Sequence, residues 1–162
     1  MTIISGTGHR PGVYFDHSQE TEDKLIKLTE KTLLELGATK VFSGMVIGFD
    51  TALAQAAVNL GIPLVAVVPF VGQENVWPQE SQGKYKLLIS KASEVIVVSL
   101  GGYAAYKMQV GNQYLVDNCE ILVALFNNKE MSGGTFNCVE YAIKTKRQIR
   151  NIWKEFCLVL QS

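Results

Sequence analysis

Five short segments of this chain are apolar almost from end to end, and the stretches between them repeat their apolar residues with helical spacing. The five are TIISG (2–6), KVFSG (40–44), PLVAVVP (63–69), EVIVVS (94–99) and EILVALF (120–126), with QIRNIW (148–153) as a weaker sixth. A strand wetted on one side alternates apolar and polar residues, whereas a continuous run fits a strand covered by helices on both faces. Between the runs, QETEDKLIKLTEKTLLEL (19–36) carries Leu25, Leu28, Leu33 and Leu36 among charges and stops at Gly37, a residue suited to a left-handed C-cap. DTALAQAAVNL (50–60) stops at Gly61 in the same way, SQGKYKLLISKA (81–92) reads as a shorter helix, and Phe136, Val139 and Ile143 make one stripe in GGTFNCVEYAIKTK (133–146).

Such an alternation predicts an α/β, three-layer Rossmann-like fold with a mostly parallel sheet of five to six or more strands. Right-handed crossovers then bring the loops that follow the strands to one edge of the sheet. At 162 residues and without a linker or repeat, 1–162 is expected to be a single domain. The stretch 99–119 is open between a loop and a helix interrupted near Gly111, with Gln109, Asn112, Gln113 and Asp117 on a polar face. The apolar end, 154–162, is expected as an edge strand or as an oligomer contact, and a homodimer or higher homo-oligomer is expected because related folds commonly assemble so.

Three glycine-bearing loops follow strands. In SGTGHRP (5–11), Gly6 and Gly8 would let backbone N–H groups approach a ligand, Thr7 offers a hydroxyl, and Arg10 can pair with a phosphate or carboxylate. His9 could donate a hydrogen bond or move a proton near neutral pH. In SGMVIGFD (43–50), Ser43 and Gly44 leave the strand, Gly48 permits close backbone approach, and Asp50 suits either a helix first turn or the hydroxyls of a ribose. In SGGTFNCVEYA (132–142), Ser132, Gly133, Gly134 and Thr135 precede a helix whose free N–H groups make an anion site. Glu140, farther into that helix, is either a solvated residue or a carboxylate within reach of a bound sugar.

Other chemistries lack their motifs. There is no GxGxxG opening a first helix, no GxxxxGK[ST] and no GxSxG. The three cysteines, Cys119, Cys138 and Cys157, have neither CxxC spacing nor an even count, and His9 and His17 lie far from them, so no metal site is expected. Lysine plus arginine and aspartate plus glutamate both number 15, which weakens the case for a dedicated nucleic-acid binder. The basic run KTKRQIRNIWK (144–154) is either a phosphate-contacting patch or a solvated helix end and edge strand. The opening MTIISGTGHRP has no basic leader, and no apolar run approaches the ~20 residues of a spanning helix. A cytoplasmic protein without membrane contact is expected.

Taken in order, these segments resemble the SLOG superfamily, the Rossmann-like group that contains DprA (Smf) and the LOG proteins, and within it the small YpsA/YspA-like branch. ISGTGHRP is similar to that branch's TGxRP-type motif, and SGMVIGFDTALAQAA to the DprA-type SGxAxGID segment with its small-residue helix. PFVGQENVW resembles PFxxQxxxW, GNQYLVDNCEILVALFN resembles NxxxVDxSDxLxAxxx with Cys119 where serine is common, and SGGTFNCVEYA resembles GGTxxxVxYA. The resemblance spans residues 2–149.

It implies a domain that binds a nucleotide or nucleotide-derived ligand, as a sensor, carrier or sequestering module, with no required cofactor. The ligand set it implies is Gly6, Thr7, Gly8, Arg10, Ser43, Gly44, Gly48, Asp50, Trp77, Asn112, Asp117 and Ser132 to Thr135, with the base near Trp77 or Tyr85. An alternative is an N-glycosidic hydrolase or transferase using Glu140, then Asp50, with His9 protonating the leaving group. The LOG motif PGGxGTxxE is matched only as SGGTFNCVE, with altered spacing. A further alternative is DprA-like binding of single-stranded nucleic acid.

Overall fold

A computed structural model describes residues 1–162. Strands and helices alternate as β1 (Thr2–Gly8), α1 (Gln19–Leu36), β2 (Ala38–Ser43), α2 (Phe49–Asn59), β3 (Leu64–Phe70), a short 3-10 turn (Gln73–Val76), α3 (Gln79–Lys91), β4 (Glu94–Ser99), α4 (Ala105–Asp117), β5 (Ile121–Leu125), α5 (Gly134–Lys144), β6 (Gln148–Asn151) and α6 (Trp153–Leu160). The six strands form one sheet in the order β4-β3-β2-β1-β5-β6, and every pair is parallel. The chain winds outward from β1 to β4 and then returns to lay β5 against the other side of β1. The winding therefore reverses between β1 and β5, and ligands of open α/β sheets bind in the crevice beyond the strand ends at such a point.

Helix α1 has local start and stop signals. It starts at Ser18, whose hydroxyl accepts from the Thr21 amide at 3.1 Å, and ends at Gly37, whose left-handed φ of 66° lets its N–H reach Leu33 and Leu34. Helices α1, α2, α3 and α6 share one face of the sheet, while α4 and α5 pack together on the other. The main core lies beneath the first group, where Ile4, Leu25, Leu33, Val41, Phe49 and Leu53 have no more than 2% exposure.

Two expectations need correction. Helix α4 is not interrupted at Gly111: that residue sits on the buried face against Pro69, and packing outweighs the ~1 kcal/mol that glycine costs a helix interior. Its polar flank is also not simply solvated, because Gln109, Asn112 and Gln113 are half-buried. The end of the chain, 154–162, is not an edge strand. It folds as α6 because Trp153 and Phe156 recur at helical spacing and bury one face against α1; Phe156 is fully buried and meets Phe15 edge-on at 5.3 Å.

Candidate functional site

The loops after β1, β2 and β5 meet at the carboxyl edge of the sheet, because all their strands run the same way. At this edge Thr7 of β1, Asp50 of α2 and Cys138 of α5 converge. All three are buried, and the Thr7 hydroxyl and the Asp50 charge both act on the Cys138 thiol. Burial holds that thiol up at about 12, so Cys138 is a neutral packing group here.

Asp50 is the unusual group. Its Oδ2 accepts from the Val46 amide at 3.4 Å, while its Oδ1 is buried with no hydrogen-bond partner. Burial pushes the carboxyl up to about 7, against the opposing pull of the Val46 amide and the charge of Arg10. The turn that presents it is braced from below. Ser43 donates to the Asp50 carbonyl at 2.7 Å and accepts from the Met45 amide at 3.1 Å, and buried Gln73 donates to the Gly44 carbonyl at 3.2 Å. Met45 takes a left-handed φ of 62° to make that turn.

Helix α5 brings a different kind of group. Gly133, at φ 99°, is its N-cap, and no side chain caps the helix, so Thr135 leaves the first-turn N–H groups open. The first intrahelical bond runs from Asn137 to the Gly133 carbonyl. Ser132, Gly133 and Gly134 are exposed. Asn112 reaches across from α4 and donates to the Gly134 carbonyl at 3.3 Å, which fixes α5 against α4. Open N–H groups at a helix start, with the positive end of its dipole, attract an anion. Arg10 adds an exposed guanidinium that makes no ion pair within the chain.

Several sequence candidates have other work in the fold. A Cβ on Gly8 would lie 2.4 Å from the Phe49 Cβ, and one on Gly6 would lie 2.3 Å from the Leu53 Cδ2; both glycines make room for α2. Gly48, at φ 107°, lets α2 begin directly under His9 and Arg10, where a Cβ would meet the His9 carbonyl at 2.7 Å. Trp77 is buried and meets Tyr85 edge-on at 5.3 Å, and it lines a cavity together with Pro11, Gly48 and Thr51 from the loops after β1 and β2. Asp117 ends α4, about 18 Å along the helix from its start. There it accepts from the Tyr141 hydroxyl at 2.8 Å, at the opposite edge of the sheet.

The groups proposed for bond cleavage are not assembled either. Glu140 is exposed, and it follows Cys138 by about 200° around α5, which turns it from the sheet to solvent. His9 has its Nε2 occupied by the Asn127 amide at 2.9 Å, and its ring is enclosed by Tyr14, Trp153 and Phe126. Burial lowers its pKa below the usual histidine value, with Glu130 pulling the other way. Beside it Tyr14 donates to Glu130, so two side-chain contacts tie the loop after β1 to the loop after β5. In the basic run, Arg147 donates to the Asp117 carbonyl and Arg150 pairs with Glu35 and Glu155.

Sequence reasoning missed two buried polar groups. Gln73 sits in a recognised segment, but its partner Gly44 is 29 residues away. Lys107 is 7% exposed and donates to the Leu100 and Gly102 carbonyls, folding the glycine-rich loop back on α4. A lysine in a polar helix gives no sequence signal of that kind.

Residues 6–154 match the family described as the YspA SLOG family. The uncharacterized SPbeta prophage-derived protein YoqJ of Bacillus subtilis (strain 168) is 28% identical over 140 residues, covering 76% of this chain and 81% of that protein. Among solved structures, DNA processing protein A (DprA) from Streptococcus pneumoniae superposes with a TM-score of 0.65 at 18% identity, over 91% of this chain and 49% of that one. The chain thus spans about half of that DprA. The molybdenum cofactor carrier protein from Chlamydomonas reinhardtii gives a TM-score of 0.56 at 19% identity, over 91% of this chain and 73% of that one. At these identities the two structural likenesses are likenesses of fold. No helix is long and apolar enough to cross a membrane.

Proposed function

The chain belongs to the YspA SLOG family, and from that premise we propose that its carboxyl edge binds a nucleotide or nucleotide-derived phosphate ligand and holds it without turnover, as a sensor, carrier or sequestering module. The observation that carries this reading is the pairing of an open α5 N-terminus with an unpartnered, buried Asp50 oxygen at the point where the sheet reverses its winding. A phosphate suits the N–H groups at Gly134 and Thr135, with Arg10 as a counter-charge from the facing loop. Asp50 Oδ1 lacks a donor, and a sugar hydroxyl supplies one. A carrier of a small cofactor shares this fold, which is in keeping with a holding role.

Binding without turnover is favoured by the placement of Glu140 in solvent and of His9 in a backbone hydrogen bond. Neither group is presented to a sugar bound over Asp50.

The test is retention by ultrafiltration. Purified protein is incubated with nucleoside monophosphates, NAD, ADP-ribose, cyclic nucleotides and a short oligo-dT, and both fractions are read by mass spectrometry. Retention of one unchanged small ligand, lost in Arg10→Ala and weakened about tenfold or more in Asp50→Asn, is the expected result. Free base or sugar phosphate appearing with loss of its parent would make the protein an enzyme, and retention of oligo-dT alone would make it a nucleic-acid binder. Either outcome sinks the reading.

A further inference from the structure

The two edges of the sheet are finished very differently. At one end, β6 is a four-residue strand, Gln148–Asn151, that carries Arg150, and that arginine is held by Glu35 and Glu155. Short length and a charge on the strand are the usual protections against pairing with another sheet. At the other end, β4 is EVIVVS, six residues long and paired on one side only, with β3. Its sole charge is Glu94 at its start. No proline, lysine or bulge interrupts it, and the backbone groups of its outer side have no partner strand.

Apolar side chains surround this open edge. Val95 and Val97, 44% and 41% exposed, project on the α3 side. Ile96 and Val98 point to the opposite face, onto Phe42, Val65 and Val67. On that face only α4 and α5 cover the sheet, and α4 presents Tyr106 and Val110 on the flank opposite Asn112. Leu100 and Tyr103, 87% and 71% exposed, close the top of the patch. These exposed apolar side chains flank the open strand on both faces and at its top, and an apolar edge left unpaired in this way is a template for pairing with another chain.

We infer that the β4 edge is an isologous dimer interface, on which a second copy of this chain lays its own β4 antiparallel to form one continuous twelve-stranded sheet. A second copy is the occupant the geometry fits. A parallel sheet has two unlike edges, and the protected β6 cannot accept β4, so head-to-tail stacking is disfavoured and β4 meets β4. A two-fold axis normal to the sheet keeps each face on its own side. Centred on Val97, it sets Val97 against Val97 of the second copy and Ile96 against Val98, pairing β-branched residues across the strands. Glu94 then falls beyond the end of the opposing strand and meets no like charge. The carboxyl-edge crevice stays open, since it lies between β1 and β5, three strands inward from β4.

The test is the mass of the full chain in solution, by sedimentation velocity from about 1 to 100 μM. The wild-type protein is expected to be a dimer in that range. Val97→Lys opposes two lysines in a desolvated strand pair and is expected to raise the dimer dissociation constant at least about 100-fold, with an unchanged far-UV spectrum. Leu34→Lys, a change at an exposed site on α1, is expected to leave the dimer intact. Val97→Cys supplies the measurement that does not depend on destabilising anything. It should oxidise to a covalent dimer at least tenfold faster than Val13→Cys, whose site is 82% exposed but away from β4. A monomer throughout the range, a dimer that survives Val97→Lys, or equal cross-linking at the two sites would each overturn the proposal. So would assembly only with a different protein.

Discussion

Gly44 and Asp50 are built against each other: a Cβ on Gly44 would stand 3.1 Å from the Asp50 Oδ2 and 3.5 Å from the Leu115 Cδ1. The glycine is there for space, since its own φ is not in the left-handed region. Gly44→Ala is expected to move the carboxylate by a few tenths of an ångström and cost about 1 kcal/mol of stability. Ligand retention is expected to fall several-fold, because the displaced oxygen is the one poised by Val46. Denaturant titration with a binding isotherm on the same variant checks it. Unchanged affinity would mean that Asp50 does not touch the ligand.

The buried carboxyl also makes stability depend on pH in a defined direction. Its folded value of about 7 exceeds the ordinary 3.8, so between those limits the unfolded chain ionises while the folded chain keeps its proton. Below 3.8 there is no penalty; stability falls as pH rises through that window, and above 7 the loss is complete. A displacement of that size corresponds to on the order of 4 kcal/mol. Asp50→Asn does not titrate, so its stability advantage over wild type should be small at pH 4 and reach a few kcal/mol at pH 8. Urea melts at the two pH values measure the difference, and a constant difference would refute the burial of an unpartnered acid.

Much of the fold was legible because burial on both faces writes itself as continuous apolar runs, as in β1, β3 and β5; β4 reads the same way although Val95 and Val97 stay exposed at the sheet edge. The end of the helix over residues 19–36 was readable at Gly37, a local capping signal, while its start is set by the Ser18 cap seen in the structure. The end of the chain was misread because FCLVLQS is short enough for either period, and only the distant Phe15 and α1 decide for a helix. The site was legible as loops and not as roles. Asp50 reads alike as a helix first-turn residue and as a ligand acceptor until the missing partner of its Oδ1 is seen. Gly6 and Gly8 read as phosphate-loop glycines, but Phe49 and Leu53, which require them, belong to another element. Long-range contacts of this kind leave no mark on local spacing.

His9 acts as an acceptor, and that fixes what acid should do to it. Protonating Nε2 breaks the bond from the Asn127 amide and places a charge among Tyr14, Trp153 and Phe126. Because burial lowers its folded value below the unfolded 6.5, the stability it contributes is present above 6.5 and is lost as pH falls through the lower folded value. Hydrogen exchange at Asn127 should therefore accelerate in acid beyond the ordinary pH trend. In His9→Phe, which keeps a ring in the cluster but offers no acceptor, exchange should be fast at pH 7.5, with a cost of about 1 kcal/mol. Slow exchange in that variant would show that the loop after β5 is held by other contacts.

The two β1 glycines should differ in their tolerance of a methyl group. At Gly6 the nearest atom is the Leu53 Cδ2, at 2.3 Å, the far end of a side chain with other rotamers. At Gly8 the obstacles are the Phe49 Cβ at 2.4 Å and its ring at 2.6 Å, and a Cβ cannot rotate away. Overpacking relieved by a rotamer change costs less than overpacking that must push a helix. Gly6→Ala is expected to lose about 1 kcal/mol and Gly8→Ala about 3 kcal/mol, because the latter has to lift the start of α2 from β1. Lifting α2 also moves Asp50, one residue along from Phe49, so Gly8→Ala should lose ligand affinity where Gly6→Ala keeps it. Melting temperatures and retention assays on the pair decide the matter, and equal losses would show that α2 is free to shift on the strand.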